Sequence, residues 1–528
     1  MTTRLAAFAV ILLAARAAHG QSVRVTPPPD FDAYVERVLK TFDVPGAAVT
    51  IVKDGRVVLA KGYGVRTIGK PEHVDSNTRF GIASNSKAFT ATALAILVES
   101  GKVEWDAPVI RYLPDFAMYD PYVTRELTVR DLLVHRSGLG LGAGDLLWWP
   151  ASTYNRPEIA RRLRYIKPAT SFRSAYAYDN VLYLVAGQLI ERVSGQSWED
   201  FVASHILQPV GMTGSTVRHS DATAAGNIAT THAEMDGTVR VIAPLTSDNT
   251  NPAGGINSSA ADMAKWMMVQ LDSGRIAPAG NGQPERRLFT PASTRELWSI
   301  VTPIPVRGRS IPGFEHLRPN LRGYALGVGV SDYRGRLRLQ HSGGLPGYVS
   351  LVTMFPSERL GVAVLTNQES DDAYNALTLA AVDYFLRAPV VDYVTRFAAM
   401  RDTVRMRSAQ QSRQASVARD SLSGPSLPLA KLAGRYEDAW YGDVSIAVEN
   451  KSLVMRFGHT PQLVGDMTHW QHDTFLVKWR DRELRADAYA TFALNPDGTV
   501  DQLKMAPASP EVDFSFDFQD LLLKPIRR

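Results

Sequence analysis

The sequence predicts an α+β fold, and three observations carry that prediction. Two β-rich segments flank a tight turn near the start, helical patterns fill the middle, and strand patterns return between residues 324 and 366. A hairpin first and strands last, with helices between them, implies one mixed domain whose distant strands join a single antiparallel sheet beside a helical region. After a change of composition, a second block of short alternating strands predicts a separate, smaller antiparallel β unit.

In chain order, residues 1–20 read as a secretory signal peptide: Arg4, an apolar stretch from Leu5 to Ala15, and the small-residue pattern Ala18-His19-Gly20 before Gln21. A membrane anchor or a buried N-terminal helix is the alternative, but the run is too short to span a bilayer comfortably. No later run looks transmembrane, so the mature chain is expected to be soluble, without a stable membrane anchor, and periplasmic or secreted. Residues 29–44 carry helical spacing at Phe31, Tyr34, Val35 and Val38, with Asp30 available as cap. The next segment, AAVTIVKDGRVVLAKGYG, is a hairpin around Asp54-Gly55. From Asn85 to Glu99 the sequence is helical and apolar on nearly every side beyond a polar first turn, which belongs in the middle of a domain.

Further helices are expected at 128–135, 180–194, 197–206, 259–271, 291–299 and 372–386, and strands at 324–331, 335–341, 348–355 and 361–366. Residues 404–428, rich in Ser, Arg and Gln, read as a linker. Segments such as DVSIAVEN, TFLVKWR and VDFSFDF then define a C-terminal β unit over 429–528. The expected organisation is leader 1–20, main domain 21–403, linker 404–428 and accessory domain 429–528.

Composition narrows the function classes. A chain of 528 residues with 45% hydrophobic content can bury a substantial core and carry more than one domain. The absence of cysteine excludes a thiol nucleophile and a disulfide framework. The formal charge is +5, and removal of Arg4 and Arg16 with the leader leaves +3, too small and too evenly spread for a nucleic-acid partner.

The chemistry centres on RFGIASNSKAFTATA. Ser84 falls at the start of the apolar helix and Lys87 three residues on, so both lie on one side of it. A helix N-terminus supplies unpaired N–H groups, and a lysine facing a buried polar cleft gives up its proton more readily, making it a base for a serine hydroxyl. Ser-x-x-Lys is short enough to occur by chance, and an N-cap serine with a surface lysine would look the same.

Several ordered segments together resemble the serine β-lactamase and penicillin-binding-protein superfamily, especially its class C β-lactamase, D-aminopeptidase and family VIII esterase branch: FGIASNSK at 80–87, LTVRDLLVHRSGL at 127–139, AYDN at 177–180, NPAGGINSSAADMAKWM at 251–267 and HSGGLPGY at 341–348. The resemblance implies a β-lactamase/transpeptidase-like domain and a lipocalin-like C-terminal unit. It implies that Ser84 is the nucleophile, Lys87 its partner and Tyr178 a proton relay, with Asn180 orienting the substrate amide and the lysine. His341, Ser342 and Gly343 match the third motif on a strand beside the cleft, and the N–H groups of Ser84 and Gly344 would form the oxyanion hole.

The residues leave alternatives beside those roles. Tyr178 also reads as a core tyrosine, and Asn180 as the cap of the helix that follows. His341, where class C β-lactamases have lysine, is either a donor or positive charge for a substrate carboxylate or a structural histidine. Asp179 stands where many relatives have serine or alanine. His135 reads as structural. Trp148 and Trp149 are a cleft wall or a buried packing pair, and Arg307 and Arg309, with Arg318 and Arg322, lie in an insertion that could meet a carboxylate. No metal or cofactor is expected.

The expected reaction is acyl transfer through an acyl-enzyme, with a short peptide or small ester as substrate. A peptidase for short or non-standard peptides comes first, whether D-residue-containing or linearised cyclic, since the branch includes enzymes that open linearised cyclic toxins such as microcystin. A carboxylesterase and a non-catalytic peptide- or glycan-binding protein are the alternatives. The oligomeric state stays open.

Overall fold

The computed structural model describes residues 26–223, 226–276, 285–308, 310–417, 419–420 and 422–526. The leader at 1–20 lies outside them. Among the described residues no helix is long and apolar enough to cross a membrane.

The chain enters through helix α1 (Phe31–Thr41). Asp30 precedes it in the left-handed region, at φ 55°, and its side chain makes no capping bond, contrary to expectation. Strands β1 (Gly46–Lys53) and β2 (Arg56–Gly64) form the expected hairpin. Asp54 and Gly55 both take positive φ, as a two-residue turn matched to the twist of its strands requires. The distant strands join this hairpin in an eight-stranded antiparallel sheet. They are β3 (Thr302–Pro303), β4 (Arg322–Tyr324), β5 (Gly329–Tyr333), β6 (Arg336–Leu345), β7 (Tyr348–Phe355) and β8 (Leu360–Thr366), in the order β2-β1-β8-β7-β6-β5-β4-β3.

Strands β7 and β8 are buried along their whole length because both faces of the sheet are covered. One face, with Val49, Ile51, Val362 and Val364, packs on α1, α5 (Asp371–Phe385) and α6 (Tyr393–Val417). The other, with Ala48, Val52, Ala363 and Leu365, packs on the helical region. There lie α2 (Ser86–Glu99), α3 (Val181–Ser194) and α4 (Ala260–Leu271), whose first carbonyl receives the Thr50 hydroxyl at 2.8 Å.

Three expectations need correction. The stretch 128–135 holds only a short, tight turn, Arg130–Leu133, because Asp131 draws the chain back on itself by accepting from Thr128, Arg136 and Arg173. The strand expected at 324–331 breaks between β4 and β5. At Gly327, φ 78°, a Cβ would lie 2.8 Å from the Lys87 carbonyl oxygen, so the break is where this loop leans on α2. Finally, residues 404–428 begin as the end of α6, which continues to Val417 with most of its described side chains exposed. Arg, Gln, Met and Ala are good helix formers, so a segment polar all round can remain helical in water.

The C-terminal unit is a second eight-stranded antiparallel sheet. Its strands are β9 (Gly434–Asp438), β10 (Gly442–Glu449), β11 (Ser452–Phe457), β12 (Val464–Gln471), β13 (Thr474–Trp479), β14 (Ala488–Leu494), β15 (Val500–Pro507) and β16 (Lys524–Pro525). Their order is β15-β14-β13-β12-β11-β10-β9-β16, and Leu503 pairs with Leu523 beside β16, which brings the sheet close to a closed barrel. Packed rings of Phe457, Trp479 and Phe518 occupy its interior. Its core is continuous with that of the helical region. Arg162 donates to the Trp440 carbonyl at 3.0 Å, and Asp517 accepts from the Gly144 and Leu146 N–H groups at 2.6 and 3.0 Å.

Candidate active site

Ser84 lies in the single turn Ala83–Asn85 that leads into α2. Ala83 adopts φ 49°, a left-handed conformation that an alanine holds only when its surroundings enforce it. Here they do: Ile82 N–H donates to the Ile256 carbonyl at 2.9 Å, the Ser350 hydroxyl donates to the Ile82 carbonyl at 2.8 Å, and Asn85 donates to Ser350 at 2.8 Å. The Ser84 side chain is half-buried and does not cap the helix. Its Oγ instead lies 3.0 Å from Lys87 Nζ.

Lys87 is completely buried. Its Nζ also donates to Asn180 Oδ1 at 2.7 Å and to the Ala253 carbonyl at 3.1 Å. A neutral amine has two N–H bonds and one lone pair, so two acceptors and one hydroxyl satisfy it completely. Burial lowers the Lys87 pKa to about 7, against the opposing charges of Asp145 and Asp179. The same amine sits 4.8 Å from the centre of the Tyr178 ring.

The Tyr178 hydroxyl is buried beside the Ser84 side chain. Burial holds its pKa well above the ordinary phenol value, while neighbouring Ser84 pulls the other way. Tyr178 therefore keeps its proton in the resting site, and Lys87 is the group able to accept one.

Asn180 precedes α3 without capping it. Its Nδ2 donates to Asp145 Oδ2 at 2.8 Å, which fixes the amide so that Oδ1 faces Lys87. Asp145 is buried too. It accepts from Trp148 Nε1 at 2.9 Å and from the Ser515 hydroxyl at 2.9 Å, and burial raises its pKa to about 7.

His341, Ser342, Gly343 and Gly344 run along β6 beside the nucleophile turn. His341 Nδ1 lies 2.6 Å from the Ser342 carbonyl, so that nitrogen carries a proton, and Nε2 accepts from the Tyr324 hydroxyl at 2.8 Å. Burial and the Lys87 charge hold the ring down to about 3. His341 is thus neutral with both nitrogens engaged, and does not supply the positive charge considered for it. Gly343 matters for space: a Cβ there would lie 2.3 Å from the Ile82 carbonyl oxygen and 2.6 Å from Ser350 Oγ. Gly343→Ala is expected to push β6 off the turn and lower kcat/KM by about 100-fold, the scale of a 1 Å misplacement. Steady-state kinetics beside a melting curve checks this; unchanged kcat/KM would show that the contact is not needed.

Ser84, Tyr178, Asn180, Ser342 and Gly344 all line one cleft of about 450 Å³. Trp148 and Trp149 line it as well, and their rings pack edge to face at 5.3 Å. Of the arginines in the insertion, Arg322 lines the cleft, Arg307 does not, and Arg309 lies outside the described residues. His135 is buried against Tyr178 and Tyr324, with ring centres 4.3 and 4.5 Å away. Among the described residues no group of three or more His, Cys, Asp or Glu could hold a metal ion.

A family model described as Beta-lactamase matches residues 31–384. The chain belongs to the beta-lactamase family. As a member it is a serine hydrolase, and the matched region contains the whole Ser84–Lys87–Asn180 constellation and β6. A second model, a domain of unknown function (DUF3471), matches residues 418–525. The unguisins hydrolase of Aspergillus campestris is 28% identical over 497 residues, covering 89% of this chain and 88% of that protein. Among solved structures, the octameric penicillin-binding protein homologue from Pyrococcus abyssi superposes with a TM-score of 0.59 at 20% identity, over 94% of this chain and 99% of that one. A D-stereospecific amidohydrolase from Streptomyces does so with a TM-score of 0.51 at 21% identity, over 67% and 98%. These two likenesses are of the beta-lactamase fold. Asp145, Tyr324, Phe514 and Ser515 belong to the site as well, and no sequence motif marked them.

Proposed function

We propose that this serine hydrolase cleaves amide bonds of short or non-standard peptides, D-residue-containing or linearised cyclic, through an acyl-enzyme on Ser84. The observation that carries the reading is the buried Lys87 amine, 3.0 Å from Ser84 Oγ and with its pKa lowered to about 7. Lys87 takes the Ser84 proton as Oγ attacks the carbonyl carbon. The N–H groups of Ser84 and Gly344 hold the oxyanion. Tyr178, protonated at rest, passes its proton to the departing amine and takes in turn the one Lys87 removed from Ser84; water then attacks the acyl carbonyl, gives its proton to Lys87, and Ser84 leaves with a proton returned through Tyr178. Asn180 clamps the substrate amide, and Arg322 at the cleft offers a partner for a peptide carboxylate.

Hydrolases named for unguisins and for D-stereospecific amide cleavage among its relatives support the same class. The leader-like first twenty residues support a periplasmic or extracellular location for this activity.

Mass spectrometry of a panel of linear D- and L-residue peptides, run beside simple acyl esters, tests the substrate class. New amine termini from short peptides are expected. Cleavage of esters with no peptide product would make the protein a carboxylesterase, and no turnover at all would make it a binding protein.

A further inference from the structure

The C-terminal unit reaches into the hydrolytic centre. Between β15 and β16 the chain leaves the barrel, and the segment Asp513–Ser515 lines the cleft. Phe514 meets the Tyr178 ring edge to face at 6.1 Å. It lies so close over Gly142, φ 69°, that a Cβ there would be 2.7 Å from the Phe514 carbonyl oxygen. Gly142 N–H in turn donates to the Tyr178 carbonyl at 2.8 Å. Asp517 holds the N–H groups on either side of Asp145, those of Gly144 and Leu146. The Ser515 hydroxyl, itself buried, donates to Asp145 Oδ2 at 2.9 Å.

That oxygen also receives Asn180 Nδ2. An unbroken line of hydrogen bonds, none longer than 3.0 Å, therefore runs from Ser515 through Asp145, Asn180 and Lys87 to Ser84. We infer that Ser515, supplied by the C-terminal unit, is a positioning residue for the hydrolytic centre, acting through Asp145 on the amide of Asn180. The inference rests on the reading of Ser84 and Lys87 as the reacting pair.

The physical reason lies in the symmetry of a carboxamide. Either end of Asn180 fits the space, and a carboxylate at Asp145, which can only accept, requires the NH₂ end to point there and so leaves the oxygen to receive Lys87. Burial draws Asp145 toward its neutral form, and three donors oppose that: Asn180, Trp148 and Ser515. Removing the Ser515 hydroxyl withdraws one of them. Asp145 then takes a proton more easily and Asn180 loses its fixed orientation, and the lysine loses an acceptor it needs.

The test uses the full chain and a fluorophosphonate probe, with the rate of phosphonylation at Ser84 followed by mass spectrometry at neutral pH. Ser515→Ala is expected to slow labelling by about tenfold, the scale of one hydrogen bond to a charged group. Ser515→Ala added to Asp145→Asn is expected to slow it little further, because residues acting through one network are non-additive. Should alanine loosen the junction, as near-UV circular dichroism would show, Ser515→Cys leaves no cavity, weakens the donor, and carries the same comparison.

Labelling of Ser515→Ala at the wild-type rate would overturn the inference. So would losses that simply multiply in the double variant, which would mean that Ser515 acts on packing alone. A wild-type protein that the probe does not label at Ser84 would overturn the Ser84 reading and this inference with it.

Discussion

Ser84→Ala is expected to lower turnover by at least about 10⁴-fold with the fold intact, since loss of the nucleophile in a serine hydrolase removes nearly all catalysis beyond binding and the oxyanion site. The local structure explains why so large an effect should come without unfolding. Ser84 is half-buried, and its Oγ has a hydrogen bond with Lys87 but no role in capping α2. The turn itself is held by the Ile82, Ser350 and Asn85 contacts, none of which uses the Ser84 side chain. Steady-state rates on a substrate found in the peptide and ester panel measure the loss. Acid-quenched mass spectrometry gives the second readout: an acyl adduct on the Ser84 peptide in the parent and none in the variant. A variant retaining activity within tenfold of the parent would move the nucleophile elsewhere.

The fold was legible where pattern is local. The hairpin at 46–64 and the apolar helix after Ser84 follow from alternation, a turn dipeptide and helical composition, each confined to about a dozen residues. The single sheet was legible as well, because strands at the two ends of a helical domain have to pair with one another. What the sequence did not reveal depends on distant packing. The strand at 324–331 breaks because a loop meets the carbonyl of Lys87, which no residue near 327 announces except the glycine itself.

The site divides the same way. Ser84 and Lys87, Tyr178 and Asn180, and His341 to Gly343 each occupy a few consecutive positions and could be read in advance. Asp145 could not. It lies 35 positions from Asn180 and 370 from Ser515, and its importance comes only from the three donors that meet there. The tryptophans beside it were the visible feature of GAGDLLWWP, and one of them turns out to serve Asp145 through its indole N–H. The charge state of His341 was also beyond the sequence, because it follows from a bond to Tyr324 and from burial beside a lysine.

Lys87→Met is expected to cost about 10³-fold in kcat/KM, within the range for a positioned general base, and the parent's pH dependence should show why. A lysine accepts the Ser84 proton only when it is neutral, so activity belongs to the pH range above the Lys87 pKa and falls as the amine is protonated. With that value lowered to about 7, kcat/KM should decline on the acid side of neutrality. Asp145, raised to about 7, is coupled to it by charge, and its carboxylate is the form that orients Asn180. Both groups therefore lose their working form in the same direction, and the acid limb is an apparent value belonging to the pair. The profile also separates the two candidate bases. Tyr178 is pushed well above the ordinary phenol range, so a mechanism starting from its anion would gain activity only in strong alkali. A limb near neutrality, lost together with most of the rate in Lys87→Met, assigns the proton to the lysine; a rate that keeps climbing above pH 10 would assign it to the tyrosine instead.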